Sequence, residues 1–232
     1  MKFQRKYDMT RNENIEYAKR NVVDYIWKSA RLEGLNVTFP QTYAIYEQAK
    51  LQNVDIDTVV TIINLKNAWR LMIDTIGDEL DIEYIKKIHA EVSRGEALSW
   101  GKLRTGDVGI GGTKYKPSIP IEDDVSLQIA KILDNDNPID SSLDLMLYGM
   151  RSQLFWDGNK RTSMLIANKI LIGNGCGIIS VDNDDLLEFG ELLSTFYETG
   201  NADKLKEFLY NKCIDGTDFS KGRSKVDDFE VV

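Results

Sequence analysis

The sequence predicts a mainly α-helical fold interrupted by one β-hairpin, and three observations carry that expectation. Apolar residues recur at spacings of three and four along most of the chain, the signature of amphipathic helices packed on one another. Thr, Asp or Pro stands at the head of several of these runs, where a helix start favours it. One stretch, VGIGGTKYKP, breaks the pattern with three glycines, alternation around Val108 and Ile110, and a closing proline.

Taken in order, Thr10 and Glu13 have capping-box spacing, and Ile15, Ala18, Val22, Ile26 and Ala30 lay a stripe along a long first helix that ends toward Gly34. Pro40 heads a second helix, and a third runs from about Asp57 through Ile62, Leu65, Trp69 and Met72 to Gly77. Asp81 caps a fourth, which carries His89. The hairpin is expected within 103–120. Helices follow over 123–133 and 141–154, the chain breaks at WDGN, and a further helix runs from about Lys160 to Gly173. A short IISV strand and two helices, ending near Cys213, complete the expected fold. Without an internal repeat or a clear linker, 1–215 reads as a single domain and 216–232 as a polar tail lacking structure.

Composition removes several classes of function. The net charge of −8 is the wrong sign for a chain that grips nucleic acid by its phosphates. The most apolar stretch, 164–172, contains Asn168 and Lys169 and is too short to span a bilayer, so no membrane association is expected. The basic start has no apolar run behind it, so it does not read as a secretory signal. Two cysteines, Cys176 and Cys213, make neither a disulfide framework nor a zinc cage, which fits a cytoplasmic protein.

The break at WDGNKR carries chemistry. An acidic residue, a glycine and an asparagine precede two basic residues exactly where a helix restarts, an arrangement suited to a polyphosphate. Gly158 adopts backbone conformations closed to other residues, so successive N–H groups converge on an anion at the helix start, where the dipole adds attraction. Lys160 and Arg161 supply charge, and the guanidinium suits paired bonds to phosphate oxygens. Asp157 is a hard oxygen ligand of the kind that holds magnesium together with substrate phosphates. A capped loop with solvated charges is the plainer alternative.

QLFWDGNKRTSMLIAN resembles the signature of the Fic/Doc family, H-x-F-x-[DE]-G-N-[GK]-R followed by an apolar helix. IHAEV and the downstream WGKLRTGDVGIGGTKYKP are similar to the helix and β-hairpin flap that precede that signature, and FYETGNADKLKEFL is similar to the segment that follows it. The resemblance implies a Fic-type helical bundle that binds ATP with Mg2+ and transfers AMP to a hydroxyl of a target protein. It places Asp157 on the metal, Gly158, Asn159 and Lys160 around the phosphates, Arg161 on the terminal phosphates, and Phe155 as the anchor of the loop. Ile110, Gly111, Gly112, Thr113 and Lys114 become the flap that aligns an unknown target protein by strand addition. A homo-oligomer is left open.

The sequence departs from that signature at a decisive place. The catalytic histidine falls on Gln153, whose amide cannot accept a hydroxyl proton. Loss of such a base typically costs about 10²- to 10⁴-fold in rate, so weak activity or none is expected. His89, the sole histidine, matches a helix histidine of the family and not the base. Lys160 replaces a glycine of many AMP-transferring members, as in Doc toxins, which phosphorylate their targets instead, and Met164 replaces a second arginine. Ser29 and Glu33, followed by Gly34, are similar to the family's inhibitory motif, [ST]-x-x-x-E-[GN]. The resemblance pairs Glu33 with Arg161 in competition with a phosphate. Three readings follow: a braked transferase of low activity, a Doc-like protein kinase, and a pseudoenzyme that binds nucleotide or protein without chemistry.

Overall fold

The computed structural model describes residues 2–49 and 54–218, and the expected tail lies mostly outside the described residues. Helix α1 (Arg11–Leu32) opens with a complete capping box, the Thr10 hydroxyl accepting from the Glu13 N–H and the Glu13 carboxylate accepting from the Thr10 N–H at 2.6 Å. It closes on Gly34, whose φ of 82° allows the Gly34 and Leu35 N–H groups to turn back onto the Arg31 and Ala30 carbonyls, a Schellman ending that leaves Glu33 as the C-cap. Helices α2 (Phe39–Tyr46), α3 (Ile56–Asp74) and α4 (Ile82–Val92) follow, with Thr38, Asp55 and Asp81 as their N-caps. Then come α5 (Glu122–Leu133), α6 (Pro138–Ser152) and α7 (Asn159–Gly173). The chain closes with β1 (Ile178–Ile179), α8 (Leu186–Thr199), α9 (Asp203–Phe208) and β2 (Ile214–Asp215). The strands pair antiparallel, Ile178 with Asp215 and Ile179 with Ile214.

Helix α7 is the axis. Every residue from Asn159 to Ile172 except Lys160 is buried, because apolar clusters press on it from two sides. One cluster gathers Ile26 of α1, Leu65 of α3 and Ile88 of α4 with its Ile166; the other gathers Met146 of α6, Phe189 of α8 and Phe208 of α9 with its Leu171. A helix buried all round must satisfy its polar side chains internally. Asn168 donates from Nδ2 to the Ile179 carbonyl at 2.9 Å and accepts from the Ile179 N–H at 2.8 Å, so it serves β1 as a neighbouring strand would. Lys169 donates to the Thr75 and Ile76 carbonyls at 2.7 and 3.1 Å, at the C-terminal end of α3, with its ammonium over the Tyr84 ring. Burial lowers its pKa to about 8. The two polar residues that interrupt the apolar run thus stitch α7 to its neighbours. Among the described residues no helix is long and apolar enough to cross a membrane.

Two local expectations differ from the structure. The segment 103–120 forms no two-stranded ladder; it runs as a loop with a turn at Gly111 and Gly112, where the Thr113 N–H donates to the Ile110 carbonyl at 3.4 Å. The reason is competition for the groups a ladder needs. Arg104 takes the carbonyls of Gly106, Pro117 and Ser118, and Glu198 takes the N–H of Lys114. Helix α6, expected over 141–154, begins at Pro138 and stops at Ser152, because Gln153 turns left-handed at φ 45°.

Replacing Asn168 by Leu strands a buried N–H and carbonyl of Ile179, and unfolding in urea should show a loss of about 1–3 kcal/mol. A loss below about 0.5 kcal/mol would show that β1 does not depend on this side chain.

Candidate functional site

The loop between α6 and α7 is built by its own residues. Asn159 accepts the Phe155 N–H at Oδ1 (2.9 Å) and donates from Nδ2 to the Phe155 carbonyl (2.8 Å) and to Gln153 Oε1 (3.1 Å). Its side chain therefore lies beneath the loop, and what it offers outward is backbone at the start of α7. Phe155 is buried and stacks on His89 with ring centroids 3.7 Å apart. Gly158 has φ 72°, and a Cβ there would collide with Ser93 at the end of α4, so both conformation and space require glycine. Among the described residues no side chain caps α7.

His89 fixes the loop from below. The Gly101 N–H donates to Nδ1 at 2.9 Å, so the proton sits on Nε2, which donates to the Asp157 carbonyl at 2.9 Å. Burial, with a smaller contribution from the nearby Arg161 charge, lowers the pKa of His89 to about 4, so the ring is neutral at physiological pH. With its main chain held, Asp157 turns a largely exposed carboxylate outward, Oδ1 accepting the Gly158 N–H at 2.6 Å.

At the head of α7 the predicted brake and cradle meet. Glu33 Oε2 lies 3.1 Å from Lys160 Nζ, and Oε1 lies 3.6 Å from Arg161 Nε. Lys160 also reaches the Leu32 carbonyl in the last turn of α1 at 3.4 Å. Ser29 is buried one turn earlier, its carbonyl accepting the Glu33 N–H. Arg161 is only 4% exposed. Its Nη1 donates to Glu96 Oε2 at 2.8 Å, and Nη2 lies 3.9 Å from Asp157 Oδ2. Among the described residues its buried Nε has no hydrogen-bond partner. Gln153, in the position expected for a base, donates from Nε2 to the Met150 carbonyl at 2.6 Å.

Three site residues escaped the sequence reading. Arg104, 1% exposed, donates to the carbonyls of Ser152 and Gln153 as well as to those of the flap, joining the two loops through one guanidinium. Glu198 of α8 accepts the Thr113 hydroxyl at 2.6 Å and the Lys114 N–H, which seats the flap. Glu96 follows α4 and carries none of the local signals that flag a site. A lone arginine or glutamate in a loop is indistinguishable in sequence from solvated charge; only long-range folding shows what each holds.

A loop braced by a neutral histidine, a helix start without a side-chain cap and two cations make an arrangement suited to an anion. Residues 79–171 match the model of the Fic/DOC family, so the resemblance drawn from the sequence holds over the segment that carries α4, the flap loop and the α6–α7 loop, while Ser29, Glu33 and Glu198 lie outside the matched residues. Members of that family commonly transfer AMP or other groups to proteins and generally bind ATP with a metal. The fold is similar to that of Fic-1 (residues 134–508) from C. elegans, with a TM-score of 0.73 and 20% identity over 84% of this chain and 62% of that one. It is also similar to a Fic domain containing signalling protein from Bacteroides thetaiotaomicron (TM-score 0.70, 15% identity, 88% of this chain and 81% of that one). A Fic family protein from Desulfovibrio desulfuricans matches with a TM-score of 0.67 and 19% identity, over 99% of this chain and 79% of that one. The chain thus spans less than two thirds of the C. elegans structure. No curated protein matches the sequence.

The depressed pKa of His89 makes folding acid-sensitive. The unfolded chain binds a proton near pH 6.5 and the folded one near 4, so stability present above pH 6.5 falls as pH drops through this window, by about 3 kcal/mol in all. Urea midpoints between pH 7 and 4.5 should therefore fall more steeply for the parent than for His89→Gln. Parallel curves would show that His89 is not the group being protonated.

Proposed function

We propose that this chain binds Mg-ATP at the head of α7 as a Fic-type AMP transferase of low activity, and that Glu33 holds it in check. The observation that carries this reading is the pairing of Glu33 with Lys160 and its approach to Arg161, beside an Arg161 Nε that is buried and, among the described residues, makes no hydrogen bond. A carboxylate there stands where an anion is wanted. The residues fit the nucleotide: the Nε and Nη2 edge, which meets Glu33 and Asp157 only at 3.6 and 3.9 Å, suits a phosphate, Lys160 adds charge, and the exposed Asp157 carboxylate suits a hard cation.

Bound magnesium would supply charge neutralisation at the phosphates. The protein's own contribution is positional. Arg161 and Lys160 hold phosphate oxygens, Gly158 lets the backbone approach them, and the α7 N-terminus faces them with its dipole. In AMP transfer the target hydroxyl oxygen forms a bond to the α-phosphorus while the bond from that phosphorus to the pyrophosphate oxygen breaks. The hydroxyl proton has to leave. Gln153 cannot take it, and its amide is engaged with Met150 and Asn159, so the proton passes to solvent or to phosphate and the step is slow. An extended target segment that pairs with the flap has to displace Glu198 from Lys114.

Gln153 favours a second reading, in which the same surface binds nucleotide and protein without transfer. Titration calorimetry with Mg-ATP should give binding at least about tenfold tighter for Glu33→Gly than for the parent, the effect of freeing one charged hydrogen-bonding edge. Equal affinity, or no binding in either folded protein, would remove the braked-site reading. Glu33→Gly with Gln153→His should then label itself from ATP radiolabelled at the α-phosphate, while Glu33→Gly alone labels at least about 100-fold more slowly. Silence from a double variant that binds Mg-ATP would leave the non-catalytic reading.

A further inference from the structure

Glu96 is the closest partner of Arg161, and nothing in the phosphate-site reading accounts for it. It lies in the loop after α4, and its carboxylate meets donors from two helices, α3 and α7. Asn64 Nδ2 donates to Oε1 at 2.7 Å, Arg161 Nη1 donates to Oε2 at 2.8 Å, and Thr61 Oγ1 lies 3.0 Å from Oε2, sharing its proton between that oxygen and the Asp57 carbonyl, also at 3.0 Å. Thr61 and Asn64 both belong to α3 and are buried; Asn64 also donates to the Arg94 carbonyl at 2.8 Å, fixing the loop itself. A carboxylate bound this way is a rigid fixture of α3 and the loop.

Its effect on Arg161 is directional. A guanidinium presents five N–H donors in one plane, and an anion approaching in the bidentate manner takes two on one edge. Glu96 takes Nη1, on the far side, and the Val92 carbonyl lies 3.4 Å from the same nitrogen. The opposite edge is left: Nε, buried and unpartnered among the described residues, faces Glu33 at 3.6 Å, while Nη2 faces Asp157 at 3.9 Å. Were Glu96 a competitor for the ligand, it would sit on this edge. It sits instead where it turns the edge toward the loop.

We propose that Glu96 is a positioning residue for the anion site, which clamps Arg161 through Nη1 so that the Nε and Nη2 edge is presented to a phosphate group of the nucleotide. The inference rests on the nucleotide-site reading above. It gives α3 a role in that site, through Thr61 and Asn64. It also separates the two glutamates by function: Glu33 covers the presented edge, and Glu96 makes that edge available.

The test is calorimetry of Mg-ATP in the Glu33→Gly background, where the edge is uncovered, with thermal unfolding of each variant as the check on folding. Glu96→Ala should weaken binding by about tenfold, the value of one charge-assisted contact that is no longer oriented. Glu96→Gln, which retains an acceptor for Nη1, should stay within about threefold of its background. In a protein that also carries Arg161→Lys, Glu96→Ala should make no further difference, because its target is gone. A purely structural role would weaken binding equally with and without Arg161, and that result overturns the proposal. Tighter binding in Glu96→Ala also overturns it, since it would make Glu96 a competitor. If Glu33→Gly itself binds no Mg-ATP, the nucleotide reading and this inference fall together. If Glu33→Gly binds and Arg161→Lys weakens it while Glu96→Ala does not, the inference alone falls.

Discussion

A guanidinium buried to 4% exposure cannot be left without anions around it, and the architecture at the head of α7 follows from that constraint. Arg161 is placed there by a helix whose positions from Thr162 to Ile172 are committed to the core, so it cannot swing out to solvent. Glu96, Glu33 and Asp157 approach it from three elements, at 2.8, 3.6 and 3.9 Å. Each carboxylate has a separate anchor: Glu96 is fixed by α3, Asp157 by the His89 brace, and Glu33 by the ending of α1. Glu33 has the least support beyond the cations themselves, and on the function proposed above it is the carboxylate that gives way to a phosphate.

Helix ends reinforce this arrangement. The first turn of α7 carries Lys160 and Arg161 and no acidic residue, an unfavourable placement of positive charge on the positive end of a helix dipole. Glu33 has the mirror-image problem, a carboxylate at the negative end of α1. Bringing the two ends together cancels both. Lys160 joins the helices twice, through Glu33 and through the Leu32 carbonyl. Gly34 sets the geometry, because its left-handed turn stops α1 with Glu33 at the cap and not within a continuing helix. The glycine that follows Glu33 thus has a physical reason in this chain.

Much of this was legible in the sequence where the signal was local. The capping box at Thr10, the Pro40 start, the Asp81 cap and the axis helix after WDGNKR all follow from spacing and short-range chemistry, and the meeting of Glu33 with the motif cations followed from resemblance. What escaped was non-local. Alternation around Val108 and Ile110 favours a ladder, but Arg104 and Glu198 arrive from outside the segment and take the groups that a ladder uses. Asn168 and Lys169 looked only like interruptions of an apolar run, because their partners in β1 and at the end of α3 lie far away in sequence. Glu96 gave no signal at all, since its meaning depends on α3 and α7 lying on either side of it.

On the function proposed above, the junction of Glu33 with Lys160 and Arg161 occupies the place of a bound polyphosphate. Backbone hydrogen exchange in the unchanged protein, with and without saturating Mg-ATP, addresses it without any substitution. If the phosphates displace Glu33, the amides of 29–35 should exchange faster with nucleotide bound, while those at the start of α7 become protected. Unchanged or slower exchange over 29–35 with nucleotide demonstrably bound would contradict the claim.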